Sequence, residues 1–378
     1  MSRSRAGVDA RKRAFYRFHR LIALNEVGGD PDARGLTPVS FHKGMLERAR
    51  RWPCAMTSTD THDSKRGEDA RTRILAIADL ASEWREAVRE WEVCNRHLVT
   101  GHESGRAPSA AHEYLFYQAL IGSWPIKGID REFVARMQAF AIKAAREGKE
   151  QTSWLSPDSV YEQNLKTFIA GALDAQRSSE FLQSFGNFAV RTTLLGALNS
   201  LAQVALKLTM PGIPDIYQGT ELWNLSFVDP DNRRPVDFSV RQEALSRLQQ
   251  GVDWGALAGR WKDGELKLAL TWQLLALRRE WSRVFTEGQY QPLDVVGRDA
   301  DCAVAFARYR DREAAVVVLG RHFEDKTDGG RRWPAPDVWD GAVALANFVI
   351  QADPKRSHWS LAQAFDPLPV AVIQAVRA

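Results

Sequence analysis

The sequence predicts an α/β chain that is helical through most of its first half and closes in a small all-β domain. Three observations carry this. Between Ala70 and Leu98, the residues Ile74, Ile77, Leu80, Ala81, Trp84, Ala87, Val88 and Trp91 recur every three or four positions, with charged residues on the other face. At Met210 the helical period stops at Pro211-Gly212-Ile213-Pro214. After about Phe285, apolar runs short enough for strands alternate with turn residues.

In chain order, a basic helix is expected over Arg11–Leu24, ended by Asn25-Glu26-Val27-Gly28-Gly29-Asp30-Pro31. A shorter helix is expected over Phe41–Arg51, stopped by Pro53, followed by a short strand and the polar run Thr57–Ser64 at a surface or in a cleft. Gly101–Ser109 reads as a loop, and helical periodicity returns over Arg136–Arg146, Tyr161–Ala175 and Asn187–Leu208. Pro211–Glu221 reads as a turn, a short strand and a loop, with a polar loop Asp229–Asp237 beyond it. Gly264 introduces an amphipathic helix, Leu266–Glu280. Ala303–Tyr309 and Ala314–Leu319 flank Arg310-Asp311-Arg312-Glu313 as a hairpin, and Val343–Ile350 and Pro369–Ile373 are further strands.

The composition is globular: 44% of the 378 residues are hydrophobic and 26% charged. A net charge of +4 on this length does not mark a nucleic-acid binder. Three scattered cysteines, Cys54, Cys94 and Cys302, form no disulfide or zinc pattern and suit a reducing, cytoplasmic setting. No apolar run approaches the ~18 residues that span a bilayer, and the Arg-rich start has no apolar core of a secretory signal. No membrane partner and no cofactor are expected. Tryptophan, at 13 against 7 tyrosines, is taken alone better read as core material than as a set of sugar platforms.

The densest polar constellation is Thr57-Ser58-Thr59-Asp60-Thr61-His62-Asp63-Ser64-Lys65-Arg66-Gly67-Glu68-Asp69. A carboxylate beside a histidine, followed by two cations, can bind sugar hydroxyls or stabilise developing positive charge. The same residues also suit a helix cap with surface ion pairs. A metal site is disfavoured, because no second His or Cys stands at ligand spacing.

Thr61-His62-Asp63-Ser64-Lys65-Arg66-Gly67-Glu68-Asp69-Ala70-Arg71 resembles a signature of the malto-oligosyltrehalose synthases, a branch of the α-amylase superfamily. Leu24–Pro31 with Phe41-His42 is similar to the segment before it. Glu113-Tyr114-Leu115 through Trp124-Pro125 and Thr152-Ser153-Trp154 look like the family's helical insertion. Pro211–Glu221 with Asp229–Asp237 resembles the eighth-strand region, and Gly288–Leu293 the entry to its C-terminal β domain. The resemblance covers essentially the whole chain. It implies the C-terminal part of a (β/α)₈ barrel, strands seven and eight, with a large helical insertion and a small all-β domain.

The implied division is 1–70, the end of the barrel; 71–200, a helical insertion or lid; 201–284, the eighth strand, loop and final helix; and 285–378, the β domain. Family members are longer on the N-terminal side, where an Asp nucleophile and a Glu acid/base lie on the fourth and fifth strands. Nothing before Thr57 resembles either motif. Roughly fifty residues cannot hold six βα units at the ~30 residues each that a ~250-residue barrel implies.

The family reaction converts the reducing-end α-1,4 bond of a malto-oligosaccharide into an α,α-1,1 bond by intramolecular transglucosylation. Retention of configuration requires two carboxylates about 5–5.5 Å apart and an oxocarbenium-like transition state. The resemblance implies Asp63 as a third, transition-state-stabilising carboxylate and His62 as its neighbour on a sugar hydroxyl. Lys65, Arg66, Trp154, Gln218, Glu221 and Arg233 are candidate substrate ligands. The competing readings are a surface ion pair with Glu68 or Asp69 for Lys65 and Arg66, loop-stabilising hydrogen bonds for Gln218, Glu221 and Arg233, and a core position for Trp154. The implied partners are a malto-oligosaccharide and the missing N-terminal half. Two other functions remain open: a non-catalytic α-glucan-binding chain, and a nucleic-acid module driven by Met1–Arg20.

Overall fold

A computed structural model describes residues 14–32, 35–103, 105–350 and 354–378. They form two units that interleave along the chain. The first takes the described residues up to 32, His62–Gly196 and Leu225–Arg234; the second takes 35–61, Ala197–Asn224 and Pro235–Ala378.

The first unit is built from helices Glu68–Leu75, Ala81–Asn95, Ala110–Ser123, Arg131–Gly148 and Ser159–Ala172, and the first part of Ser179–Thr209. Local sequence starts several of them. Ser109, Asp130 and Asp158 each accept a backbone N–H from their own first helical turn. The core is aromatic. Trp91 is fully buried, 4.6 Å from Phe185 and 5.4 Å from Trp84 between ring centroids. The composition-level reading of tryptophan as core material holds for this pair.

Several expectations change in this unit. Of the helix expected over Arg11–Leu24, residues 11–13 lie outside the described residues. The remainder is turns and one 3₁₀ turn, Ile22–Leu24. The Asn25 amide donates to the carbonyls of Phe15 and Phe18, which a helix would have given to backbone N–H groups. The helix expected over Ala70–Leu98 breaks at the 3₁₀ turn Ala76–Ala78. The expected loop Gly101–Ser109 holds a hairpin, Thr100–His102 against Gly105–Ala107.

His112, buried in this unit, carries a pH prediction. Burial, reinforced by His19, holds its imidazole down at about 4. A group depressed in the folded state contributes stability that is complete above its unfolded value of ~6.5. That stability is lost progressively as the pH falls toward 4. Thermal denaturation should therefore show a lower Tm at pH 5 than at pH 7, and a smaller drop in His112→Gln.

The second unit contains the parallel pair Met56–Thr57 and Ile213–Pro214, with Met56 opposite Ile213 and Thr57 opposite Pro214. Gly212 precedes the second strand at φ +131°. An added Cβ there would lie 2.6 Å from the Ala55 carbonyl oxygen, so only glycine fits. Arg48, from the helix Pro38–Arg51, donates to Pro211, Ala55 and Thr57 and ties the two strands.

Beyond the helix Glu265–Glu280, a five-stranded antiparallel sheet combines Phe348–Ile350, Val370–Arg377, Glu313–Gly320, Ala303–Arg310 and Gln289–Leu293, in that order. The hairpin expected at Arg310–Glu313 is present, closed by Asp311 at φ 53°. The single strand expected over Val343–Ile350 is two. Ala346, at φ 52°, turns the chain between Ala342–Ala344 in a three-stranded sheet and Phe348–Ile350 in the larger one. Leu201, Leu208, Leu266, Leu270, Phe306 and Val317 belong to the apolar core of this unit.

Arg308 is buried in that core. It donates to the carbonyls of Thr209, Val284, Phe285, Gly288 and Gln289, and burial draws its guanidinium down to about 10. Arg308→Met would leave these carbonyls short of donors, with an expected cost of about 2–4 kcal/mol to the second unit. Urea denaturation followed by tryptophan fluorescence measures it; a loss under 1 kcal/mol would contradict this account.

Candidate functional site

The polar run divides between the units after Thr61. In the second unit, Asp60 is buried. It accepts from Asn224 at 2.8 Å and from the backbone of Thr61 at 2.9 Å, while Lys207 donates to Thr59 at 2.8 Å. These residues fix the exit of the strand Met56–Thr57.

In the first unit, His62 and Asp63 are exposed, and the loop carrying them is held from two sides. On one side Glu26 accepts the backbone N–H of Lys65 at 2.9 Å and pairs with Arg71 at 3.2 Å. On the other, the buried Asn232 amide donates to the carbonyls of His62 at 3.1 Å and Ser64 at 3.4 Å. Gly67 donates to the Ser226 carbonyl at 2.9 Å. A loop tied at its backbone presents its side chains in a defined place, as a preorganised electrostatic site requires.

Asp63 keeps 65% of its side chain exposed, with the Lys65 ammonium 3.7 Å from its carboxylate and donating to its carbonyl at 2.9 Å. Lys65 is mostly covered and lies 5.7 Å from the Phe15 ring centroid. It is placed to orient Asp63 rather than to reach outward.

Arg66 departs from the expected substrate contact, and from the alternative of a surface ion pair. It is buried and donates to the carbonyls of Ile22 and Asn25, and burial lowers its guanidinium to about 10 against the opposing charge of Glu26. Its donors hold the chain before the motif, which leaves it no free face for a sugar.

Trp154 and Arg233 belong to the same unit. Trp154 is 52% exposed at a groove of about 730 Å³, walled by the helix Arg131–Gly148 and by Phe227–Asp231. The Arg146 guanidinium stands 4.8 Å from the indole centroid. Arg146 is itself held by two hydrogen bonds to Glu162, at 2.7 and 2.6 Å, which hold the Glu162 carboxyl below its ordinary range. The indole N–H donates to Glu147 at 3.0 Å. The ring is thus fixed before any ligand arrives. On the groove wall, Arg136 grips Asp231 in a bidentate pair at 2.6 and 2.7 Å. Arg233 is exposed and pairs with Asp229 at 2.5 Å.

Gln218 and Glu221 lie in the second unit, after the strand Ile213–Pro214. Gln218 is exposed. Glu221 pairs with Arg241 at 2.8 Å, and Arg241 also holds the Gly219 carbonyl. Glu221 therefore stabilises its own loop, the competing reading of that residue.

Glu26 and Asn232 were not singled out in the sequence. Each lies inside a stretch quoted above, but neither charge pattern nor spacing separates a carboxylate clamping a remote loop from an ordinary turn residue. Among the described residues no group of three His, Cys, Asp or Glu side chains could hold a metal ion, and no helix is long and apolar enough to cross a membrane.

No protein-family model matches the chain. A curated Mycobacterium tuberculosis protein, provisionally named a maltooligosyl trehalose synthase, is 37% identical over 369 residues, covering 95% of this chain and 42% of the relative. The maltooligosyltrehalose synthase of Arthrobacter ramosus superposes with a TM-score of 0.78 at 32% identity, covering 97% of this chain and 44% of that one. A Sulfolobus tokodaii structure, titled a hypothetical maltooligosyl trehalose synthase, gives a TM-score of 0.72 at 26% identity over 98% and 45%. The chain thus spans less than half the length of the relatives it matches. Along nearly its whole length, this chain is related to one part of the maltooligosyltrehalose synthases.

Proposed function

We propose that the chain is the C-terminal portion of a malto-oligosyltrehalose synthase, supplying the transition-state carboxylate Asp63 but neither the nucleophile nor the acid/base. The reaction is the intramolecular transfer that turns a reducing-end α-1,4 glucosidic bond into an α,α-1,1 bond. The observation that carries this reading is an exposed Asp63 on a backbone-clamped loop following a strand with a parallel neighbour. Parallel neighbours joined by a long helical crossover are the arrangement of consecutive barrel strands with an insertion between them. That supports Met56–Thr57 and Ile213–Pro214 as strands seven and eight, the helical region as the insertion and the segment after 285 as the β domain.

A carboxylate at position 63 would accept hydrogen bonds from the sugar's 2- and 3-hydroxyls. Bonds to the 2-hydroxyl tighten as the ring gains oxocarbenium character, and His62 would hold an adjacent hydroxyl. Lys65 keeps Asp63 oriented. Arg233 offers a further hydroxyl contact in the same unit, and Gln218, exposed on the second unit, is by itself a candidate hydroxyl ligand. Trp154 supplies a fixed face for a glucosyl ring in the insertion, which as a lid would exclude water while the leaving glucose turns and re-attacks.

The surface of the second unit supports the need for an additional polypeptide. The helix Pro38–Arg51 has no buried residue, and Leu36, Val39, Leu46, Trp52, Met56 and Ile213 are all exposed, Met56 at 72% and Trp52 at 67%. An apolar face of this kind beside a parallel sheet that has two strands among the described residues suits packing against more strands.

The test is co-expression with an N-terminal polypeptide carrying the other two carboxylates, assaying maltopentaose for a non-reducing trehalose-ended product. The pair is expected to be active and the 378-residue chain alone to lack full turnover. Full turnover by the chain alone would overturn the proposal. Binding of maltopentaose without product from the pair would favour a non-catalytic glucan-binding role instead.

A further inference from the structure

A second groove, of about 650 Å³, lies wholly within the second unit. One wall is the helix Glu265–Glu280, through Leu270, Gln273, Leu274 and Leu277; the other is the start of the strand Val370–Arg377, and Trp254 and Trp359 complete the lining. Nothing in the proposed reaction uses it.

We propose that this groove is a separate binding site for a neutral α-glucan segment. Three features select the ligand class. The lining contains no lysine or arginine, so nothing in it recognises a phosphate or a carboxylate. Its polar side chains are three glutamines, Gln273, Gln363 and Gln374, and one carboxylate, Asp366. A primary amide donates and accepts at once, as does a sugar hydroxyl, and a carboxylate accepts from a pair of them. Beside these groups the half-buried Trp254 and Leu277 offer apolar surface to the C–H faces of a pyranose, backed by the buried Trp359, Leu270 and Leu274. The volume falls in the ~300–1,000 Å³ range of small-ligand sites.

The choice of α-glucan among neutral sugars rests on the function proposed above. The site would hold a distant part of a long substrate and raise its local concentration.

Isothermal titration of the full chain with maltoheptaose tests this in a Trp154→Ala background, which removes the platform of the first unit. Binding is expected to persist there, and to weaken at least tenfold on adding Gln273→Ala and Gln374→Ala, both surface changes that leave the core intact. Gln273→Lys, made separately, should weaken binding comparably by obstructing the wall. Undiminished binding in these variants, or no binding in the Trp154→Ala background, would overturn the inference. A concentration-dependent dimer in sedimentation that these variants abolish would also overturn it, assigning the groove to self-association. The proposed reaction is judged separately, by whether the co-expressed pair makes product, so the two can fail independently.

Discussion

Asp63→Asn in the co-expressed pair is expected to lower kcat/KM on maltopentaose by about a thousandfold, on the order of 4 kcal/mol of transition-state stabilisation. The substitution keeps shape and removes charge. It should leave the fold intact, because the side chain is largely exposed and its contact with Lys65, at 3.7 Å, is a weak ion pair. A melting temperature within about 2 °C of the parent would establish that, since an exposed pair is worth roughly 1 kcal/mol or less. Loss of turnover with retained folding identifies a carboxylate that acts on the reacting sugar. Activity within tenfold of the parent would remove Asp63 from the site. Glu26→Gln offers a graded comparison: it weakens the clamp through Lys65 and Arg71 without altering Asp63 itself, so its effect should be smaller.

Gly196→Val is expected to be the most damaging single change to the fold of the first unit. The helix Ser179–Thr209 meets Glu68–Leu75 at this glycine. An added Cβ would stand 2.6 Å from Arg73 Cγ and 2.8 Å from the Arg73 backbone nitrogen and Cα. Backbone cannot swing away as a side-chain end can, so the two helices would have to separate. Arg73 is buried, its guanidinium drawn down to about 10 by burial against the opposing charge of Asp69, and it donates to the Trp124 carbonyl at 2.8 Å. Separation would therefore strain a buried cation as well. A cost of at least about 3 kcal/mol, roughly a 10 °C fall in Tm, is expected. Since Glu68–Leu75 continues directly from the His62–Gly67 loop, activity of the pair should fall even below the transition. A Tm unchanged to within 2 °C would show that the helices can separate without cost.

The amphipathic helices were legible because each has one wet face. Glu265–Glu280 and the core of Arg131–Gly148 fall where periodicity places them. The helix Ala110–Ser123 left no such period, because Leu115 to Ser123 are all buried and no polar stripe remains to mark a face. The break at Ala76–Ala78 escaped detection for the opposite reason: the apolar spacing runs across it undisturbed. The hairpin at Arg310–Glu313 could be read locally, whereas the turn at Ala346 had no glycine or proline to announce it.

Residue order by itself determined the helical first half, the change of character at Met210, the β-rich end and the likeness to the trehalose-forming synthases, since all of these are written in neighbouring side chains. Tertiary structure decided what each charge of the motif does. Arg66 turned inward to backbone carbonyls, Lys65 lay against its own neighbour, and Asp63 was left outward on a loop held by Glu26 and Asn232. A charged side chain can face water, a partner or a buried carbonyl with equal local propriety. The choice depends on groups brought close by folding from 39 and about 170 residues away, which no window of sequence contains.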